Sequence, residues 1–343
     1  MRIHFEELEV AQRAGGIEAA TRGLVESLRR EGVSVSRSSA CPPNGNLNVP
    51  DCVQFHGIWS PSLAKRFLAW RRRGIPCVIS PHGMLEPWAL AYKPLKKMVA
   101  WHIYQRRILN KATALHATSA REAENLRRLG LKTTIEIIPW GIEIPEPRYN
   151  AAPGADSAHR TALFVGRLHP VKGLPMLVEA WAKVRPSGWK MRIVGPDESG
   201  HRAEVETLVR RANLEAVFEF TGGLEGVALR RAYQHADLLI LPSHTENFGM
   251  VVGEALSHGV PVIASHGTPW EVLATEGGGW WAPATVEGIS EALASATACS
   301  KDSLRSIGSA GRDLVADKFS WYSVANRFVT LYSMGLTNQT LKI

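Results

Sequence analysis

The feature of this sequence that most constrains its fold is an alternation of short apolar runs with longer stretches of helical periodicity. In the second half, the runs TALFVG (161–166) and KMRIVG (190–195) are each followed by a stretch with helical spacing, and the alternation continues to VPVIAS (260–265). Adjacent parallel strands need a crossover of about a dozen residues or more, which such helices provide. The pattern therefore predicts an α/β fold built on parallel sheets.

The first half shows a less regular version of the same alternation. GGIEAATRGLVESLRREG is predicted to be a helix that ends at Gly32, and strands are predicted at 52–55 and 76–81. Helices at 94–110 and 119–129 flank the short run ALHAT. In the second half the predicted strands are 161–166, 190–195, 217–222, 236–242 and 260–265, and the predicted helices are 174–184, 201–213, 225–235 and 249–258.

Two domains are expected, because 343 residues exceed the usual size of one hydrophobic core and 45% of them are hydrophobic. The stretch EPRYNAAPGADSAH (146–159) is rich in Pro, Ala, Gly and polar residues, as exposed connections between domains are. We therefore predict a first domain over residues 1–150 and a second domain that begins at residue 151.

Several classes of protein are disfavoured. No run approaches 18 consecutive apolar residues, and acidic residues stand where a signal peptide has its basic region, so a cytoplasmic location is expected. The cysteines lack the spacing of a zinc site and the density of a disulfide scaffold. They are Cys41, Cys52, Cys77 and Cys299.

The excess of positive charge lies entirely in the first half. Residues 1–150 contain 22 Lys and Arg against 13 Asp and Glu, whereas residues 151–343 contain 18 against 19. The predicted helix 94–110 combines many apolar and aromatic residues with Lys96, Lys97, Arg106 and Arg107. Such a helix suits the surface of an anionic membrane. The alternative, a helix packed on the core with solvated cations, stays open. The side that Trp101 faces also stays open, because one side chain cannot lie in both lipid and core.

The first strand of the second half is followed by candidate phosphate ligands. Gly166 frees the backbone, and Arg167 and Lys172 flank a turn before a helix with Pro175 in its first turn. Ligands of open α/β sheets bind beyond the carboxyl ends of strands, where two cations near a helix N-terminus favour a diphosphate. The alternative is a pair of solvated loop cations. Neither a Walker loop nor a GxGxxG after a strand is present, which disfavours dinucleotide oxidoreductases.

Two glutamates surround the segment after ADLLILP. Glu246 precedes the predicted helix and Glu254 lies on it, so they would be at most about 12 Å apart if the whole run were helical. That spacing suits a nucleotide sugar whose diphosphate faces the amides of Phe248, Gly249 and Met250 at the helix start. The alternative is two glutamates that face solvent.

Residues 161–272 resemble the donor-binding half of the retaining nucleotide-sugar glycosyltransferases of family four, which have the GT-B fold. The resemblance is carried in order by VGRLHPVKG, GPDESG, FTG, ILPSHTENFGMVVGEALSHGVPVIAS and GTPWE, with weaker parallels at GGIEAATRGLVESLRREG and SPHGML. It implies two Rossmann-like domains that face a central cleft. It also implies a second domain that ends at residue 318 and a C-terminal segment, 319–343, whose helix returns to the first domain.

The resemblance also implies roles for individual residues. Arg167 and Lys172 would neutralise the departing nucleoside diphosphate in place of a metal ion, Glu246 would bind the transferred sugar and Glu254 the ribose. The backbone from Phe248 to Val251 would hold the phosphates. The remaining residues assigned by resemblance are His82 near the reacting sugar, Gly15 and Gly16 in a loop that approaches the donor, Gly166, Met250, and Asn247, where many relatives have Gly.

The implied reaction moves a hexose-type sugar from a UDP- or GDP-sugar to a glycan or lipid-linked acceptor with retention, without metal or other cofactor. In the front-face displacement that the resemblance implies, the leaving phosphate helps to deprotonate the acceptor. The two glutamates are not expected to act as the carboxylate pair of a hydrolase, which must straddle one bond. Two alternatives are a nucleic-acid-binding protein, for which no known module is recognisable, and a non-catalytic GT-B protein that binds a nucleotide or a partner.

Overall fold

The computed structural model describes residues 1–7, 15–38, 49–146 and 159–340. The predicted domain boundary at residue 150 and Cys41 lie outside these ranges, and the other three cysteines are free thiols. The chain forms two compact units. The first unit contains the described residues up to Gly141 and the final helix from Trp321, and the second is Ile142–Ser320.

The first unit contains a parallel sheet of six strands in the order β2-β1-β3-β4-β5-β6. Its core is apolar and includes Phe55, Phe67, Leu109, Leu115 and Leu126. The strands are β1 Arg2–Glu7, β2 Ser34–Ser38, β3 Cys52–His56, β4 Cys77–Ser80, β5 Ala114–Ala117 and β6 Ile135–Ile137. The helices are α1 Gly15–Arg30, α2 Pro61–Arg72, α3 Pro87–Ala91, α4 Pro94–Ala100, α5 Arg106–Lys111 and α6 Ala120–Arg128, together with the final helix, α14, Trp321–Thr340.

The second unit contains another parallel sheet of six strands, in the order β12-β11-β10-β7-β8-β9. Buried runs such as LLIL and VIAS form its central strands. The strands are β7 Arg160–Val165, β8 Trp189–Val194, β9 Phe218–Gly222, β10 Leu238–Leu241, β11 Val262–Ser265 and β12 Gly279–Ala282. The helices are α7 Leu174–Val184, α8 His201–Arg211, α9 Gly226–Gln234, α10 Met250–Ser257, α11 Val272–Glu276, α12 Val286–Ala298 and α13 Lys301–Lys318.

Each sheet has one point at which the direction of strand addition reverses. In the second unit the chain starts at β7, adds β8 and β9 on one side, and then adds β10, β11 and β12 on the other. The loops after β7 and β10 therefore diverge and leave a crevice, which is where ligands of open α/β sheets bind. In the first unit the equivalent point lies between β1 and β3.

Residues 94–111 are helical, in agreement with the predicted helix 94–110, and the structure adds a change of hydrogen-bonding pattern inside it. The predicted continuous helix 94–110 is α4 and α5 separated by a π-helical segment, Trp101–Gln105. Trp101 and Tyr104 on this segment are partly buried against the core, so Trp101 lies on the core side of the helix. The final helix begins at Trp321, two residues after the predicted start, and packs against α1 within the first unit. None of the described helices is both long and apolar enough to cross a bilayer.

Candidate functional site

An ion pair joins the two loops that diverge at the reversal point of the second sheet. Lys172, in the loop after β7, places its Nζ 2.5 Å from Oε1 of Glu246, in the loop after β10. The hydroxyl of Ser243 donates to the same carboxylate oxygen at 2.7 Å. The two charged side chains are only 15% and 13% exposed. The sequence-predicted residues Lys172 and Glu246 therefore meet at the edge of the sheet where a ligand is expected.

Backbone contacts hold these loops against each other. The amide of His244 donates to the carbonyl of Val171 at 2.8 Å. Gly173 has φ of 69°, and a Cβ at this position would lie 2.3 Å from the carbonyl oxygen of Pro242. No side chain fits that space, so the close approach that positions Lys172 beside Glu246 depends on glycine.

The helix α10 begins directly after the second loop. Gly249 caps it with φ of 80°, and Met250 and Val251 are its first residues. The amides of a first helical turn lack intrahelical partners, so this end of α10 favours an anion. Phe248 is buried, and its ring centroid lies 5.3 Å from that of Trp270. The indole N–H of Trp270 donates to the backbone carbonyl of Phe248 at 2.7 Å. Its side chain therefore anchors the loop that also contains Asn247.

Glu254 lies further along α10 and is largely enclosed. The hydroxyl of Tyr233, from α9, donates to its Oε2 at 2.6 Å. Burial raises the pKa of Glu254, and the hydrogen bond from Tyr233 partly opposes that rise. Burial raises the pKa of Tyr233, and the neighbouring glutamate raises it further. Glu254 is therefore an enclosed hydrogen-bond acceptor whose side chain is held by Tyr233, and not a solvated surface charge.

Arg167 lies at the exit of β7, beside an open pocket of about 490 Å³. Its guanidinium pairs with Oε2 of Glu198 at 2.6 Å, but the arginine side chain is 60% exposed. An exposed pair of this kind is weak and exchanges partners easily. The pocket is lined by the ends of three neighbouring strands and the loops that follow them, through Val165, Gly166, Arg167, Val194, Gly195, Pro196, Gly223, Leu224 and Glu225.

In the first unit, polar side chains on β3, β4 and β5 form a buried network. Gln54 donates to Ser80 at 2.7 Å, and Ser80 lies 2.7 Å from Nδ1 of His116. Nε2 of His116 lies 2.7 Å from the carbonyl of Ile138, which fixes its tautomer with the proton on Nε2 because a carbonyl can only accept. Ser80 then donates to Nδ1. This chain of hydrogen bonds crosses three adjacent strands.

His82 extends this buried group. Its Nε2 lies 3.0 Å from Nδ1 of His56, and its ring stacks on Trp140 with 5.6 Å between centroids. Burial, assisted by repulsion from His116, lowers the pKa of His82 to about 3. Burial likewise lowers the pKa of His116 to about 4 and that of His56 well below its usual value. These imidazoles are held in the neutral form.

The backbone at His82 is strained. His82 has φ of 55°, a conformation that non-glycine residues rarely adopt. The next amide, of Gly83, donates to the buried carboxylate of Glu122 at 2.7 Å. Thr118 also donates to that carboxylate through its amide and hydroxyl. The proposed role of His82 beside a donor sugar stays a prediction, and so does that of Gly15 and Gly16, which begin α1.

Several residues of these groups were missed in the sequence. Tyr233 bonds to the predicted site residue Glu254, and Glu198 pairs with the predicted site residue Arg167. Each lies on a different element from its partner, so no local spacing in the sequence indicates it. His56 is the last residue of β3, His116 is the penultimate residue of β5 and His82 follows β4 by two residues, so a shared position near strand ends was an available signal. Within the described ranges, no three residues among His, Cys, Asp and Glu are grouped as metal ligands. The predicted metal independence stays a prediction.

Two family models match the chain. The one described as "Glycosyl transferases group 1" matches residues 146–314, and "Glycosyl transferase 4-like domain" matches residues 46–141. A D-inositol 3-phosphate glycosyltransferase from Segniliparus rotundus is 27% identical over 93% of this chain and 75% of its own length. The enzyme of the same name from Actinosynnema mirum is 30% identical, but the match spans only 58% of this chain and 52% of that relative.

Solved structures of GT-B glycosyltransferases share the fold. Sucrose-phosphate synthase from Thermosynechococcus elongatus has a TM-score of 0.78 at 22% identity and covers 97% of this chain and 98% of its own. The Anabaena protein HepE, solved in complex with UDP and glucose, has a TM-score of 0.76 at 18% identity and covers 97% of this chain and all of its own. At these identities the likeness establishes the fold alone.

Proposed function

This chain belongs to the group 1 glycosyl transferases, and on that premise we propose that it is a retaining, metal-independent hexosyltransferase whose donor is a UDP- or GDP-sugar. The observation that carries the proposal is the Lys172–Glu246 pair at the reversal point of the second sheet, a few residues before the N-terminus of α10. It places an ammonium group, a carboxylate and free helix amides at one sheet edge.

The donor diphosphate fits the positive part of this arrangement. Lys172 would turn from Glu246 toward the phosphates, and the first amides of α10 would donate to phosphate oxygens. Glu246 is then released to accept hydrogen bonds from hydroxyls of the sugar. Exchange of an existing ion pair for a ligand keeps both buried charges partnered, whereas two unpaired charges in this place would be unfavourable.

The nucleoside would lie toward Glu254 and the pocket beside Arg167. Glu254 would accept hydrogen bonds from ribose hydroxyls, and the pocket at the ends of β7, β8 and β9 would take the base. Arg167 would leave Glu198 for the diphosphate, where its charge opposes the negative charge that develops on the leaving group. Complexes of HepE with UDP and with UDP-glucose support a uridine donor by analogy of fold.

In the reaction we propose, the bond between the anomeric carbon and the phosphate oxygen breaks as the acceptor oxygen attacks the same face of the sugar. The acceptor proton passes to the leaving phosphate, so the products are the glycosylated acceptor and a protonated nucleoside diphosphate. The chain would supply position and positive charge, with no covalent intermediate.

The acceptor we propose is a glycan or lipid-linked molecule of cell-surface polysaccharide or glycolipid assembly, glycosylated on the cytoplasmic side. The relatives named for D-inositol 3-phosphate favour a second candidate, a small phosphorylated polyol. The alternative to an enzyme is a non-catalytic protein that binds a nucleotide. The presence of the Lys172–Glu246 pair favours the enzyme.

A thermal-shift panel of UDP-, GDP- and ADP-sugars tests the donor. A ligand at about 100 times its Kd adds about 2.7 kcal/mol to the free energy of unfolding, which raises Tm. We expect a UDP- or GDP-sugar to raise Tm, and Lys172→Met to abolish the rise, while the exposed control Lys190→Met retains it. Activity in EDTA should equal that in added magnesium. Absence of a shift with every sugar nucleotide would contradict the proposal.

A further inference from the structure

Exposed apolar side chains are concentrated in one short stretch of the first unit. Ten large hydrophobic side chains of the described residues are exposed, and six of them lie between residues 88 and 103. Scattered exposed hydrophobic residues need no explanation, but a contiguous group marks a surface that something covers. We call this group the apolar patch: Trp88, Tyr92, Leu95, Met98, Val99 and Ile103.

The patch is an apolar stripe on the outer side of its helices. Leu95, Met98 and Val99 recur at the spacing of one helix face, and Ile103 continues it on the π segment. The opposite side of the same segment packs on the core through Trp101 and Tyr104. Surface helices usually place polar residues outward. Packing on the core therefore explains the apolar residues of the inner face and leaves the exposed apolar stripe unexplained.

The charge around the patch selects what would cover it. Lys93 and Lys96 are exposed on α4 or immediately before it, and no Asp or Glu occurs between residues 87 and 111. Such a combination fits the surface of an anionic lipid bilayer, where the apolar side chains would meet the acyl chains and the lysines would meet the anionic headgroups. Trp88 and Tyr92 are of the type that lies at the headgroup level.

The π segment connects this surface to the reversal point of the first sheet. Its Gln105 accepts the amide of Trp59 at 3.0 Å, and its Tyr104 donates to the carbonyl of Trp59 at 2.9 Å. Trp59 follows β3 at the reversal point of the sheet and has φ of 73°, a strained conformation that these bonds hold. Lys97, on α4, lies over the rings of Trp59 and Tyr92.

We propose that the apolar patch inserts into the surface of an anionic lipid bilayer and brings Trp59 to the level of the headgroups. The insertion follows from the patch and its charges alone. The further step, that the bilayer delivers a lipid-linked acceptor to the edge marked by Trp59, rests on the proposed function.

Vesicle co-sedimentation tests the insertion. The full chain should bind vesicles of phosphatidylcholine with phosphatidylglycerol and bind phosphatidylcholine alone less tightly. The double variant of Leu95→Glu and Ile103→Glu should lose about tenfold or more in vesicle affinity, because two charges replace inserted apolar groups. Lys93→Glu with Lys96→Glu should weaken binding to the anionic vesicles only. Leu95 is 73% exposed, so its replacement leaves the core intact.

The matched control is Tyr322→Glu, because Tyr322 is 69% exposed on α14, outside the patch. It should bind vesicles as the unchanged chain does. Equal loss in this control, or retained binding in the double variant, would overturn the proposal. A dimer that forms without lipid and dissociates in the double variant would assign the patch to a second copy instead. Donor-induced thermal shifts, measured in parallel, distinguish failure of the surface from failure of the proposed function.

Discussion

The strand ends of the two units use polar side chains in opposite ways. In the second unit, Lys172 and Glu246 are a charged pair that retains some exposure, and Arg167 is largely exposed. In the first unit, His56, His82 and His116 are buried and their pKa values are lowered. Charged groups with replaceable partners suit recognition of a charged ligand, whereas a neutral, stacked network fixes shape.

The comparison teaches that one topology supports two kinds of polar arrangement at its strand ends. Both units have six parallel strands and one reversal point. In the second, glycines let loops from different strands touch, which brings charges together. In the first, residues on adjacent strands meet directly through register, with His56 opposite Ser80.

The largest effect should come from Lys172→Met. The substitution removes the enclosed cation at the second edge and leaves Glu246 with Ser243 alone, so kcat/KM should fall by about 10²- to 10³-fold, the range found for loss of one transition-state donor. Steady-state kinetics with the donor found by the thermal-shift panel would measure it. Lys190→Met is the exposed control and should keep full activity. Unchanged kcat/KM in Lys172→Met would remove the contrast between the units.

Tyr233→Phe should reduce stability by about 1–3 kcal/mol, because Glu254 loses a hydrogen-bond donor while it stays buried. The pKa of Glu254 is already raised, and loss of the hydroxyl raises it further. Stability linked to a raised carboxyl pKa is lost as pH rises, so the deficit should be larger at pH 8 than at pH 5. Urea unfolding at both values measures this, with exposed Tyr322→Phe as control. A pH-independent deficit would show that Glu254 does not depend on Tyr233.

His82→Asn tests the neutral network of the first unit, and asparagine tolerates the positive φ. Because folding lowers the pKa of His82 to about 3, its contribution is fully present above about pH 6.5 and is lost as pH falls toward 3. The stability advantage of the unchanged chain over the variant should shrink by up to about 1.4 kcal/mol per pH unit within this window. Glu122, whose raised pKa has the opposite sign, is common to both proteins. A constant difference from pH 7 to pH 5 would contradict the buried neutral state.

Arg167→Ala should have the smallest effect on stability, below about 1 kcal/mol, because its pair with Glu198 is exposed and screened. Turnover should nevertheless fall more than donor affinity does, since the arginine would act on charge that develops as the leaving group departs. Thermal unfolding and the separate values of kcat and KM test both parts. The structurally similar exposed pair of Arg192 and Glu219 provides the control variant Arg192→Ala. Equal loss of stability and turnover would indicate a structural arginine.

The sequence predicted the second unit better than the first for a physical reason. Strands buried on both faces are continuous apolar runs, so LLIL and VIAS identify themselves within a few residues. By contrast, β1 includes Glu6, whose carboxylate is buried against Arg66 and the indole N–H of Trp70, and β2 is an edge strand with polar residues. Their composition does not resemble that of buried strands, so neither was predicted.

The interior of the predicted helix 94–110 shows a different limit. Helical spacing is preserved through the π segment, so the sequence does not reveal where the hydrogen-bonding pattern changes. That change brings Gln105 inward to the amide of Trp59 and leaves Ile103 outward. The sequence shows that basic and apolar residues are mixed in this helix. Which of the apolar residues face the core and which face solvent required the structure.

By itself, the sequence predicted the α/β architecture and the polar loops at the strand ends, because these follow from local periodicity and from what must come after a buried strand. The choice of Lys172, Glu246 and Glu254 as site residues rested on the family resemblance and stays a prediction. Only the tertiary structure decided which of those groups are partnered: Lys172 with Glu246, Glu254 with Tyr233, and His82 with His56. Their partners lie between 21 and 74 residues away in the chain. Strand order and register set such pairings, and the pKa and exposure of each group follow from them.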